Sequence, residues 1–481
     1  MISREERELL FKHAEEKFER VAELQRLGLI CDDGDFVPTV HYPPITEYPD
    51  QGPEYLDDYV WPEDDLMDIY VHIPFCIQQC TYCHYPNKVG PCDDEKEKYI
   101  GYLIREMDIF LNKFGKEKIR PRSILLGGGT PTNLQPKLLD HFLTEFDKRV
   151  DFSKCKQHNV DLGPNSIVGP NGAEKMQILK DHGVTRLTIG LQSLDDRVLK
   201  LMNRPHDSKW AIDSVYKALE YGFDVNIEFI FGHPGETLEN WTDVMEKAIE
   251  LPMNEIQIYR LKVQSYGDGQ GVINRRKRGS GADDIPDFKN TMMMKSIAEE
   301  MMENHGFNET LRRVFSKDKK IFSHYAYNQC CAQYDQVGFG LSGFSSYRDR
   351  FDINSYHFDE YYRMIDEGRL PITRAYKHST DEKIRQKIVL PLKNTEIIKS
   401  RFTKNSGGYN IDDLFKKKIA TLKEYGLLED NGKDIHLTHD LGRFVADEVC
   451  ECFNSNEHKP FPRERYAEGP LNPYNDNDIF A

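Results

Sequence analysis

Short runs of β-branched and aliphatic residues recur from residue 69 onward, separated by longer stretches whose apolar positions fall three and four apart. The runs at 69–73, 123–126, 159–162, 186–189, 225–230 and 255–259 read as strands, and the stretches at 96–114, 135–147, 173–182, 195–202 and 237–250 read as helices. Parallel neighbours need a crossover between them, so six βα repeats in series predict a parallel sheet, open or curled into a partial (β/α)6 barrel. Right-handed crossovers set the C-terminal ends of all six strands on one rim, where functional loops are expected.

The flanks differ in texture. Leu9, Leu10, Phe11, Ala14, Phe18, Val21 and Ala22 fall near helical spacing among charges and predict one amphipathic helix within residues 1–30. Residues 32–68 are rich in Pro, Tyr and acids and read as an extended lead-in lying on another part of the molecule. The Gly-rich stretch 267–285 has the composition of a mobile loop and precedes a helix at about 287–304. Near the C-terminus a helix at 411–425 ends at Gly426, Asn431-Gly432 marks a tight turn, and Thr438 is placed to cap a closing helix through about 453. The expected organisation is therefore α/β: a lead-in (1–68), a core barrel (69–305), a barrel-covering segment (306–380) and an α+β winged-helix-like domain with a tail (381–481).

Composition narrows the class. With 64 Lys and Arg against 80 Asp and Glu among 481 residues, the net charge is −16, which repels polyanions and disfavours nucleic acid as the main partner. No apolar run approaches the roughly 18 residues of a membrane span. The opening Met-Ile-Ser-Arg-Glu-Glu-Arg-Glu lacks the charge pattern of a signal peptide, and the expectation is a cytoplasmic protein. Its ten cysteines then read as thiols for metal or redox chemistry rather than as a disulfide framework.

Three of them, Cys76, Cys80 and Cys83, follow the first strand in YVHIPFCIQQCTYC. Thiolates at C-x3-C-x2-C spacing can bind three irons of one cubane and leave the fourth without a protein ligand. Spacing alone also admits a zinc site completed by His84, Cys92 or Cys31, or three unrelated buried thiols. After the second strand, Gly127-Gly128-Gly129-Thr130 removes the Cβ atoms that hold a ligand off the backbone, and equally suits a tight βα turn. Gln192 closes the fourth strand and Arg204 follows in Met-Asn-Arg. A guanidinium suits a carboxylate ligand, though an isolated arginine more often serves a surface ion pair. Asp161 lies at the end of the third strand and Glu228 on the fifth, and the Gly232-His-Pro-Gly235 turn redirects the chain. The basic cluster Asn274–Arg278 offers contacts to substrate carboxylates or is simply solvated.

The three-cysteine loop, with Tyr82 before its last cysteine, resembles that of the radical S-adenosylmethionine (SAM) superfamily. The approach Tyr-Val-His-Ile-Pro-Phe-Cys is similar to that of its oxygen-independent coproporphyrinogen III oxidase-like group, a likeness running from about residue 69 to about 450. The resemblance implies a [4Fe-4S] cluster on Cys76, Cys80 and Cys83. It also implies one or two SAM molecules contacted by Tyr70, Tyr82, Gly127, Gly128, Gly129, Thr130, Asp161, Gln192, Arg204 and Glu228, a flavodoxin- or ferredoxin-type electron donor, and a small-molecule substrate of tetrapyrrole or heme type. Two departures bear on the reaction. Oxidases of the group carry a fourth cysteine two positions after the third, where this chain has Tyr85, and the carboxylates at 161 and 228 are Asp and Glu where the group has Glu and Asp. The expectation is therefore C-methylation or related radical chemistry, with oxidative decarboxylation or heme carriage as the alternatives.

Overall fold

The structure, a computed structural model, describes residues 2–37, 40–262, 285–394 and 396–480. The six expected strands are β1 (Asp68–Ile73), β2 (Ser123–Gly128), β3 (Gln157–Leu162), β4 (Arg186–Gln192), β5 (Asp224–Phe231) and β6 (Glu255–Arg260). They lie side by side in chain order, every neighbouring pair parallel. Helices α2 (Asp93–Lys113), α3 (Pro136–Arg149), α4 (Gly172–Asp181), α5 (Ser208–Glu220) and α6 (Leu238–Ile249) make the crossovers, and α7 (Phe288–Asn304) follows β6. Helix α5, with the N-cap Asp207 accepting from the Trp210 N–H, is absent from the pattern reading because a short helix at Asp196–Leu201 already occupies that crossover.

Alternation along the strands assigns the two faces of the sheet. Ile69, Val71, Leu126, Val160, Leu187, Ile189, Val225, Ile227, Phe229, Ile256 and Ile258 point outward into one buried core with Leu103 and Phe110 of α2, Phe142 and Phe146 of α3, Trp241 of α6 and Met301 of α7. The intervening residues point inward and are largely polar, so the inner wall is not a packed core.

Residues 308–377 extend the sheet where a cover was expected. Strands β7 (Asn308–Leu311) and β8 (Val314–Ser316) add antiparallel beyond β6. On the other side β9 (Gln336–Phe339) pairs parallel with β1, and β10 (Phe344–Tyr347), β11 (Arg350–Asn354) and β12 (Ile372–Lys377) continue antiparallel to complete twelve strands. Gly338 and Gly340 permit this packing: a Cβ on Gly338 would meet the Phe344 carbonyl at 2.2 Å, and one on Gly340 the His72 carbonyl at 2.4 Å.

The C-terminal unit runs α8 (Thr380–Asn394), β13 (Glu396–Ile398), α9 (Lys399–Asn405), α10 (Lys416–Glu424), β14 (Leu428–Asp430), β15 (Asp434–Leu437) and α11 (Ala446–Glu451), with the three strands antiparallel as in a winged helix. The closing helix is shorter than expected. Thr438 accepts from the Gly442 N–H at 2.8 Å, but this bond closes a turn, and regular helix begins only at Ala446. Helix α1 (Arg4–Arg26) spans both units: Leu10 and Ala14 enter the barrel core, while Val21 and Leu24 enter the C-terminal core with Ile384, Ile388, Phe402 and Val449. Leu9 is off this face and half exposed. The lead-in lies on the sheet edge, where the Ala375 N–H donates to Pro49 O and the Gln51 N–H to Thr373 O. The Gly-rich stretch through 284 and the cluster Asn274–Arg278 lie outside the described residues. No helix among the described residues is long and apolar enough to cross a membrane.

Candidate functional site

The loop carrying Cys76, Cys80 and Cys83 leaves β1 on the rim where the C-terminal ends of β2, β4 and β5 also arrive. The turn after the Asp196–Leu201 helix clamps it. Gln78 Nε2 donates to Asn203 O at 2.7 Å, Asn203 Nδ2 donates to Gln79 O at 2.7 Å, and the Thr81 N–H donates to Met202 O at 3.1 Å. His233, in the turn expected only to redirect the chain, is buried and its Nε2 lies 3.2 Å from Thr81 Oγ1, so that turn braces the loop as well.

Burial, then the neighbouring sulfurs of Cys83 and Cys80, push the Cys76 thiol up to about 12, and burial pushes Cys83 up too. With this bias against ionisation, Cys76 and Cys83 ask for a positive centre beside them before they become thiolates. Among the described residues the three thiols do not gather within 4.8 Å of one another. A single tetrahedral ion holding sulfur at about 2.3 Å needs that closeness, whereas a cluster gives each thiolate its own iron. The donor set thus fits a cubane better than zinc.

Arg204 sits directly against the loop. Its Nη1 donates to Cys80 Sγ at 3.2 Å and to Tyr82 Oη at 3.0 Å, and its Nη2 donates to Gly190 O at 2.8 Å. Its Nε is buried without a hydrogen-bond partner, and none of the described carboxylates pairs with it, so the surface ion pair does not apply. Gln192 is reached through a bulge: the β4–β5 register shifts between Gly190 and Gln192, and Gln192 takes φ +69°. A bulge re-aims a side chain, and here it buries Gln192 with Oε1 unpartnered. Gly190 has no Cβ because one would lie 2.6 Å from Gln192 Nε2. An enclosed amide oxygen and guanidinium nitrogen left unpaired are costly, and a zwitterionic ligand supplies both missing partners.

The three glycines seal the rim. A Cβ on Gly127 would stand 3.0 Å from Asp161 Oδ2 and 3.4 Å from the Tyr70 ring. On Gly128, at φ +104°, it would meet the His72 ring at 2.7 Å, and on Gly129 the Phe75 backbone nitrogen at 2.7 Å. The Gly129 and Thr130 N–H groups donate to Ile73 O and Phe75 O at 2.9 and 2.8 Å. The motif therefore closes β2 onto the cysteine loop, with Gly127 facing the interior. Tyr70 is buried beside it, its Oη 2.9 Å from His72 Nδ1 and its ring 5.0 Å from that of Phe344.

Below the rim the inward residues form a polar lattice. Arg186 of β4 reaches across β5 to Glu255 of β6 at 2.7 Å, both fully buried, and donates to Asn159 Oδ1 at 2.9 Å and Thr188 Oγ1 at 3.0 Å. Asp161 accepts from Asn159 Nδ2 at 2.9 Å, and Glu228 accepts from Tyr259 Oη at 3.2 Å. Burial raises both carboxyls, Asp161 to about 6 and, with the Asp161 charge adding to it, Glu228 to about 7. The structure brings all thirteen residues named from the sequence to one end of the barrel. The reading missed the floor beneath them, Asn159, Arg186, Glu255, Gln257 and Tyr259. Its signal was polar residues at every second position of otherwise apolar strands, as in NVD, RLT, NIE and EIQIY.

Residues 70–248 match the radical SAM superfamily. The chain is 28% identical over 391 residues to the heme chaperone HemW of Bacillus subtilis, a match covering 81% of this chain and 99% of that protein. It is 23% identical over 406 residues to the oxygen-independent coproporphyrinogen III oxidase of Helicobacter pylori, covering 80% and 85%. The solved structure of coproporphyrinogen III oxidase HemN from Escherichia coli, described as a radical SAM enzyme, superposes with a TM-score of 0.74 at 21% identity over 86% of this chain and 96% of that one, a shared fold.

Proposed function

The chain belongs to the radical SAM superfamily, in its HemN-like group, and from that we propose that it binds a cluster and SAM at the barrel rim and acts on a tetrapyrrole or heme-related substrate. Cys76, Cys80 and Cys83 would hold a [4Fe-4S] cluster, which with one electron from a flavodoxin- or ferredoxin-type donor supplies reductive cleavage of SAM to methionine and a 5′-deoxyadenosyl radical that takes hydrogen from substrate. Arg204 and Gln192 orient the amino-acid end of SAM, since their enclosed Nε and Oε1 lack partners. Asp161 and Glu228, whose carboxyls burial raises to about 6 and about 7, offer hydrogen bonds to ribose hydroxyls or to substrate. Gly127 lets SAM approach the β2 backbone, and Tyr70 and Tyr82 support the same wall. The protein's contribution is positioning and exclusion of water, with no general base needed for the cleavage.

The observation that carries this reading is the pairing of three clamped cysteines with unsatisfied polar atoms on the same rim. Methyl transfer rests on the cysteine pattern alone, since no relative described above is a methyltransferase. Heme carriage stands as the second reading, favoured by the match spanning 99% of a heme chaperone. The test is anaerobic reconstitution with iron and sulfide, followed by SAM and dithionite with coproporphyrinogen III or heme. The enzyme reading expects 5′-deoxyadenosine that depends on substrate, with S-adenosylhomocysteine added if a methyl group moves. Stoichiometric heme binding without turnover selects the carrier. Material that holds neither iron nor SAM overturns both.

A further inference from the structure

A cavity of about 280 Å³ lies where the far edge of the sheet meets the C-terminal unit. One wall is β7, the outermost strand, through Glu309 and Thr310. The other is built by the C-terminal unit, from the end of α8 with Lys393, from β13 and β15, and from the turn that carries Arg443 between β15 and α11. None of the residues placed at the cysteine rim lines it.

Two cations on this lining have no anion. Lys393 is only 6% exposed, and among the described residues its ammonium makes neither a hydrogen bond nor an ion pair. Burial, then Arg312 and Arg313, push it down to about 7, and the other groups in reach are the thiols of Cys330 and Cys450. Arg443 is half-buried, and its guanidinium likewise has no partner among the described residues. The neighbouring cations differ. Arg312 and Arg313 both pair with Asp447, Arg313 at 3.0 Å, and His436 Nε2 lies 3.1 Å from Glu429. Of the carboxylates on the lining, Glu309 accepts from the Arg313 N–H at 2.8 Å, and Glu396 sits across from His436 in the pairing of β13 with β15. Neither forms an ion pair with Lys393 or Arg443. A buried ammonium is costly without a counter-charge, and a guanidinium open to the same cavity adds a fork of donors beside it.

We propose that this cavity is a binding site for a small oxyanion, a carboxylate or a phosphate, held by Lys393 as a point charge and by the fork of Arg443. The ligand supplies the counter-charge that the fold leaves out and fills the seam between the sheet edge and the C-terminal unit. Glu309 and Glu396 on the same lining limit its charge: an anion carrying one or two charges fits, whereas a polyanion meets their repulsion.

The experiment measures binding of radiolabelled inorganic phosphate and, separately, succinate to the full chain by equilibrium dialysis at constant ionic strength. Unfolding midpoints are taken on the same samples. At least one of the two anions is expected to bind, and the tighter one assigns the ligand as phosphate or carboxylate. Lys393→Met and Arg443→Gln should each weaken that binding about tenfold, the loss of one charged hydrogen bond. Lys393→Met, which keeps most of the side chain's length and removes an unpaired buried cation, should also unfold at a higher midpoint than wild type in anion-free buffer. Saturating anion should narrow that gap, because only wild type gains fully from the ligand. Absence of binding by wild type overturns the inference, and so does undiminished binding by either folded variant. A Lys393→Met variant less stable than wild type without anion makes Lys393 a structural support and overturns it as well. Should that variant fail to fold at all, Arg443→Gln, altered at a half-buried residue whose side chain has no partner to lose, decides alone.

Discussion

The interior of this barrel has two floors built from the same strands, and they follow opposite rules. On the lower one, Arg186 donates to Glu255, Asn159 and Thr188 within 3.0 Å and Thr188 donates to Asn159 at 3.3 Å, with one Glu255 oxygen and Asn226 Oδ1 left over. On the upper one, Gln192 Oε1 and Arg204 Nε are enclosed without partners, and the Asp161 charge adds to burial in raising the Glu228 carboxyl. Buried polar groups satisfied by one another rigidify a wall, while those left wanting await a ligand. The difference separates scaffold from site within a few residues of each strand.

That contrast can be broken from either floor. The largest effect is expected at the rim: Cys80→Ala should abolish both iron retention and SAM cleavage, read by iron analysis and 5′-deoxyadenosine yield, with little change in the unfolding midpoint of the metal-free protein. On the lower floor the expectation reverses. Glu255→Ala strands the Arg186 guanidinium in a dry wall and should cost about 3–5 kcal/mol in urea unfolding, and a loss below about 1 kcal/mol would contradict the lattice described. Arg204→Lys, which keeps the charge and removes the fork, should weaken SAM binding about tenfold by calorimetry, in line with about 1.5 kcal/mol for a charged hydrogen bond, without moving the unfolding midpoint comparably.

The smallest effect concerns pH. Glu228 is raised from 4.5 to about 7 in the folded protein. Between these values the native state holds the proton more firmly than the unfolded chain, so its stabilising contribution is complete below about 4.5 and is lost as pH rises through about 7. Glu228→Gln removes that loss. The variant should melt about 2–4 °C above wild type at pH 8, what roughly 1 kcal/mol is worth in a domain of this size, and the gap should shrink toward pH 5. A gap that widens on acidification would reverse the assignment.

Much of this was legible in the chain. The six strands announced themselves because one face of each is continuously apolar, as in Ile69, Val71 and Ile73, and the cysteine loop because three thiols in eight residues have few other uses. The lower floor escaped notice because each of its residues, taken singly, is an unremarked polar position in a strand, and only the register that sets Asn159 beside Arg186 and Asn226 beside Glu255 makes a lattice of them. The reach of β9 to β12 was hidden because β9 joins the sheet beside β1, more than 260 residues earlier in the chain. Local pattern carries no record of such pairings.

Helix α1 has a consequence for how the molecule comes to be made. Its Val21 and Leu24 are buried against residues that emerge from the ribosome some 360 positions later, at Ile384 and beyond. The earliest helix to be synthesised is thus among the last to find its full shelter, and until then half of its apolar stripe stays uncovered on a growing polypeptide.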